Sequence, residues 1–170
     1  PTSLVAHDRG MWHDWERIAA RLTEDEGALV DVRSAGVGAA GWQRLLNLPT
    51  EQGWWFQYAE DGVRLPVPPA DVIPTRRSTV FCSFEFQVTP TFGLRTAFLD
   101  SVDVELWFDP RTLRSHANVS SLLSFVRILG RTLCHDVTVT ADNHPEWVYL
   151  RYAVESDSVV EEVNPGGPER

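Results

Sequence analysis

A chain of 170 residues that is 43% hydrophobic carries enough apolar mass for one globular core. Its formal charge is −9, a balance that argues against nucleic acid or an anionic membrane as partner, because both select basic surfaces. No run approaches the ~18 apolar residues of a membrane span, and no stretch reads as a secretory signal with a basic start and apolar middle.

Taken in order, residues 8 to 22 read as an amphipathic helix capped near Asp8. Met11, Trp12, Trp15, Ile18, Ala19 and Leu22 recur at helical spacing. An acidic break leads to a short strand, Ala28 to Val32. Gly36-Val37-Gly38-Ala39-Ala40-Gly41 then fits the G-x-G-x-x-G pattern of a dinucleotide turn. The helix it opens, Gly41 to Leu48, ends at Pro49, and no parallel strand with an acidic ribose ligand follows, so a nucleotide site is not expected. Trp54 to Tyr58 is an aromatic strand, Asp61-Gly62 a hairpin turn, and Val63 to Val67 the return. A stiff proline connector follows.

Thr79 to Val88 is the longest clean strand. Val80, Cys82, Phe84, Phe86 and Val88 face one way, and Phe81, Ser83, Glu85 and Gln87 the other. Thr89-Pro90-Thr91 and Gly93 turn the chain toward a strand over Ser101 to Asp109. There Val102, Val104, Leu106 and Phe108 alternate with Asp103, Glu105 and Trp107. Ser120 is the expected N-cap of a long helix whose inner face is Leu122, Phe125, Val126, Leu129 and Leu133. Gly130 within it marks a close backbone contact or fraying. Val137 to Thr140 returns as a strand, Asp142 to Pro145 turns, and Trp147 to Val154 is the last strand.

The order implies an α+β domain over residues 1–154, an antiparallel sheet with helices on one face. Two β-α-β-β units flank the 79–88 strand. The remainder, 155–170, is acidic and reads as a disordered tail whose removal from residue 156 leaves the melting temperature within a few degrees. Cys82 and Cys134 are expected to be buried free thiols of a cytoplasmic protein. All fifteen basic residues are arginine, which with abundant Ala, Val and Gly suggests a GC-rich bacterial gene.

Chemistry-bearing residue types are present without a complete pattern. His7-Asp8, His13-Asp14 and His135-Asp136 lack metal-ligand spacing, and no metal or other cofactor is expected. Cys134-His135-Asp136 holds nucleophile, base and orienter types in a row, but adjacent residues do not face one another. His144 in the following turn could approach Cys134, but Cys134 reads as a core-edge residue. No G-x-S-x-G elbow occurs. The carboxylates are more suggestive. Asp103 and Glu105 stand two apart on one strand, about 6.5 to 7 Å along it. If the 79–88 strand pairs with this one, Glu85 joins them, with Phe81 and Trp107 alongside. Such a face suits a basic protein partner, and it is also what the solvent side of an antiparallel sheet looks like.

In general profile the chain resembles the immunity proteins of bacterial toxin systems. The likeness is carried by Gly41-Trp42 with Leu45-Leu46, the hairpin at Glu60-Asp61-Gly62, and Leu122-Leu123 through Thr140 with Arg127, Gly130 and Leu133. It implies a non-enzymatic protein that blocks a basic toxin by contact, using Glu85, Asp103, Glu105, Trp107 and Phe81. The rivals are a small metal-independent hydrolase or isomerase using sheet-face carboxylates, and a structural subunit of a larger assembly. Oligomeric state is not legible at this level.

Overall fold

The computed structural model describes residues 15–24 and 28–162. Its helices are α1 (Trp15–Leu22), α2 (Gly38–Gln52), α3 (Ile73–Arg76) and α4 (His116–Leu133). Its strands are β1 (Val30–Ser34), β2 (Trp55–Glu60), β3 (Val63–Leu65), β4 (Cys82–Thr89), β5 (Phe92–Thr96), β6 (Val104–Phe108), β7 (Val137–Ala141), β8 (His144–Ala153) and β9 (Ser158–Glu161). The nine strands form one sheet in the order β3-β2-β4-β5-β6-β1-β7-β8-β9, antiparallel at every pairing. The α+β class and the single sheet with helices packed against it agree with the hydrophobic pattern. The residues before Trp15, including the start of the expected first helix, lie outside the described ones.

Two crossovers explain why the helices share a face. β1 and β2 run parallel and are joined through α2, while β6 and β7 run parallel and are joined through α4. β1 and β6 are antiparallel neighbours, and the two connections leave in opposite directions. Crossovers of the same hand then lay both helices on the same side, where α2 and α4 pack together. Leu45, Leu48, Leu122, Phe125, Val126 and Leu129 meet Val32, Phe84, Phe86, Leu106, Val139 and Leu150 in one continuous core. Strand-helix-strand-strand does occur twice in chain order. The two copies are not equivalent, since the first crossover passes over β4, β5 and β6 and the second over β1 alone.

Several boundaries differ from the expectation, each for a local reason. α2 runs through Pro49 to Gln52. The proline removes one helical donor, but Leu45, Leu46, Leu48 and Pro49 are all buried, and their packing holds the last turn. Gly53, left-handed at φ 69°, then ends the helix, and the amides of Gly53 and Trp54 donate to the Thr50 and Pro49 carbonyls. The N-cap of α4 is Ser115, not Ser120. The Ser115 hydroxyl accepts from the Asn118 amide, and buried Asn118 donates in turn to the Thr112 carbonyl. The Asp61-Gly62 hairpin is as expected, with both residues at positive φ.

β5 was not expected at all. Phe92 and Leu94 are buried and alternate with Gly93 and Arg95, so this short stretch forms a hairpin with β4 instead of a turn toward residue 101. β5 therefore lies between β4 and β6, and the strands around Glu85 and Glu105 do not pair. Of the two thiols, Cys82 is buried as expected. Cys134 is exposed, because it occupies the left-handed position after α4 and turns outward.

The expected disordered tail needs the same correction for residues 155 to 162. β9 pairs with β8, Val159 is buried, and the intervening turn is fastened by Asp157. The Asp157 carboxylate accepts from Arg131 Nε at 2.7 Å and from the Tyr152 hydroxyl at 2.9 Å, and these partners hold it down at about 2. Acidic composition concealed a short strand that turns Val159 into the core. Gly130 proves to be a close contact: a Cβ there would lie 2.1 Å from the Tyr152 ring.

Two expectations follow from this packing. Gly130→Ala should destabilise the protein by about 2 kcal/mol or more, despite the ~1 kcal/mol gain in helix propensity, because the Tyr152 ring must move. Denaturant midpoints would check it, and an unchanged midpoint would mean that the ring shifts freely. Truncation after Ser156 should lower the melting temperature by about 5 °C or more, since it strips β9 and the Asp157 contacts.

Candidate functional site

Each strand pairing fixes which side chains lie on the sheet side that no described helix covers. One row crosses six strands: Gln57, Glu85, Arg95, Trp107, Asp31 and Thr140. A second carries Glu105, Arg33, Thr138, Arg151 and Val160 across five. The strand patterns V-D-V-R-S and V-E-L-W-F generate these rows, since alternate residues go to the core.

Of the residues expected to form an acidic face, Glu85, Glu105 and Trp107 do share this side. Glu85 is not beside Glu105; Arg95 on β5 stands next to it instead. Glu105 faces Arg33, whose Nη2 donates to Glu105 Oε2 at 2.7 Å. Asp103 precedes β6 rather than belonging to it, and its Oδ1 accepts from the Gly36 amide at 2.8 Å. Phe81 lies just before β4, 60% exposed, with its amide held by Asp61. The face is thus of mixed charge, because neighbouring strands contribute arginines that a single strand's pattern does not reveal.

Asp31 is the residue that sequence reasoning passed over. It sits on central β1 between Trp107 and Thr140 and is only 3% exposed. Burial pushes its carboxyl up to about 6, and the nearby Glu105 carboxylate adds to the rise. The Asn143 amide, 3.3 Å away, and Arg33, whose Nε is 3.7 Å from Asp31 Oδ2, oppose it. Three buried polar atoms on this side have no hydrogen-bond partner among the described residues: Arg33 Nε, Gln57 Oε1 and Thr140 Oγ1. An aspartate alternating with valines on a strand was the available signal.

The other chemical candidates are dispersed. His7 and His13 lie outside the described residues. His135 Nδ1 is 2.8 Å from the Leu133 carbonyl, Asp136 Oδ1 accepts from the Val154 amide, and Cys134 Sγ is 3.5 Å from the Arg131 carbonyl. His144 stacks on Trp147 with centroids 4.2 Å apart. Among the described residues, no group of three or more His, Cys, Asp or Glu is placed to hold a metal, and no helix is long and apolar enough to cross a membrane. In the glycine loop, Gly36 and Gly38 take positive φ, and their amides bond Asp103 and the Val102 carbonyl. The protein's own carboxylate and carbonyl therefore occupy two amides of the loop.

Fold and site together define a one-sheet α+β domain with a mixed-charge, aromatic-bearing face that no described helix covers. Comparison with protein-family models, curated proteins and solved structures yields no match.

The buried aspartate makes stability depend on pH. Its folded value, about 6, lies above the unfolded value of 3.8, so the native state binds the proton more tightly between them. Stability should fall as pH rises through that window. Asp31→Asn should flatten this slope and raise stability at pH 7 by about 2 to 3 kcal/mol. Chemical denaturation at pH 4.5 and pH 7 measures both, and parallel behaviour of the two proteins would contradict the assignment.

Proposed function

We propose that this chain is a non-enzymatic binding protein of the immunity kind, which docks a basic protein partner on its uncovered sheet face. One observation carries the reading: a nine-stranded sheet has its described helices on one side only, and its other side is built of paired charges and aromatic side chains. Trp107 and Phe81 provide anchor-type side chains, and Trp55 stands 48% exposed on the same side. The net charge of −9 supplies long-range attraction for a basic partner, while the alternation of Glu85 with Arg95 and Glu105 with Arg33 sets local register. A bacterial, cytoplasmic setting, with neither nucleic acid nor membrane as partner, belongs to the same proposal.

The hydrolase or isomerase reading leans on Asp31, whose raised value suits proton transfer. Against it, Asp31 is almost wholly buried and Glu105 is tied to Arg33, so neither offers a carboxylate open to substrate.

The variants separate these readings. Trp107→Ala should raise the dissociation rate of the partner complex about 30-fold, equivalent to about 2 kcal/mol. Glu85→Gln with Glu105→Gln should instead slow association and weaken its salt dependence. Association and dissociation rates at two ionic strengths are the measurement. Wild-type kinetics in both variants would remove the face from consideration, and lost turnover of a small substrate would favour the enzyme.

A further inference from the structure

Where β1 ends and β6 and β7 begin, the uncovered face deepens into a groove of about 410 Å³. Ala35 and Pro145 give it apolar walls, and Asp103, Glu105 and Asp136 give it carboxylates. Arg33 and Arg151 also line it, and each is shared between two acids. Arg33 lies 2.7 Å from Glu105 and 3.7 Å from Asp31. Arg151 lies 2.8 Å from Glu162 and 3.9 Å from Asp136. Asp103 makes no ion pair among the described residues; its contact is the Gly36 amide. Five carboxylates in and around the groove therefore stand against two guanidinium groups. His135 also lines it, with Nδ1 turned to the Leu133 carbonyl.

We propose that this groove receives one arginine or lysine side chain of the protein partner, its aliphatic stem on Ala35 and Pro145 and its cationic head between Asp103 and Asp136. The excess of carboxylates selects a cation, and the apolar walls select one carried on a hydrocarbon stem over a bare ion. The internal arginines do not fill this role, because each already has acids on its own strands or their neighbours. The inference rests on the docking proposal above and names what the partner must present there.

The test uses the intact chain and three probes: N-acetyl-arginine amide, N-acetyl-lysine amide and the uncharged N-acetyl-norleucine amide. Amide chemical shifts are followed by NMR. The expected result is saturable shifts at Ala35, Gly36 and Thr138 with millimolar affinity for at least one cationic probe, weakening with salt, and none for norleucine amide. Asp103→Asn with Asp136→Asn should weaken binding about tenfold or more while leaving the spectrum folded, since asparagine retains the oxygen that each backbone amide requires. Equal shifts from norleucine amide, no saturation with either cation, or unchanged affinity in the double variant would overturn the assignment. Partner binding by Trp107→Ala distinguishes the failures. If that variant still loses the partner while the probes fail, only the groove assignment falls; if it binds normally, the docking face falls with it.

Discussion

The inner face of α4 sets the frame on which the other elements depend. Leu122, Phe125, Val126, Leu129 and Leu133 are all buried against the sheet, and burying a side chain of this size contributes about 1.5 to 3 kcal/mol. Together they rival the ~5 to 15 kcal/mol net stability typical of a domain. α4 touches α1, α2, β4, β7, β8 and β9, so it bridges the two wings of the sheet. Gly130 makes this possible, because only a residue without a side chain lets the helix settle onto Tyr152. Tyr152 then reaches past the helix to Asp157, and that contact with Arg131 secures the turn into β9. One close approach in the core thus orders the edge of the sheet.

Placing every described helix on one side leaves the other side to polar chemistry. A sheet this wide cannot expose an apolar surface without inviting aggregation, so charge must be carried on it. Here the charges are arranged in cross-strand pairs, which limits their net effect locally while the whole chain stays acidic. The arrangement is not uniform. Near the ends of β6 and β1 acids outnumber arginines, and at the centre Asp31 is pressed below the surface beside Trp107. Burial, with crowding of like charge from Glu105, explains why that carboxyl holds its proton to about pH 6. The same surface is therefore both the electrostatically strained part of the molecule and the part with room for a partner.

Much of the fold was legible in residue order. Periodicity near 3.6 marked the inner face of α4, alternation marked β4 and β6, and Asp61-Gly62 marked its hairpin, because these signals arise from backbone geometry within a few residues. Short elements escaped. β5 has five residues and β9 four, and each is a strand chiefly because neighbours supply its hydrogen bonds. Composition misled at β9, where acidic residues flank the buried Val159. The extension of α2 through Pro49 was settled by burial, and the choice of Ser115 over Ser120 by the bond of its hydroxyl to the Asn118 amide.

For the candidate site the division falls between strand and sheet. The chain by itself determined that Glu85, Glu105 and Trp107 point away from the core, since a side chain's face follows from its position in an alternating strand. It also determined the overall acidity. Only the tertiary structure decided that Arg95 stands between Glu85 and the Trp107 strand, that Arg33 pairs with Glu105, and that Asp31 is buried beneath them. Strand order and register come from long-range packing of crossovers and hairpins, and no local pattern encodes which strand will lie beside which.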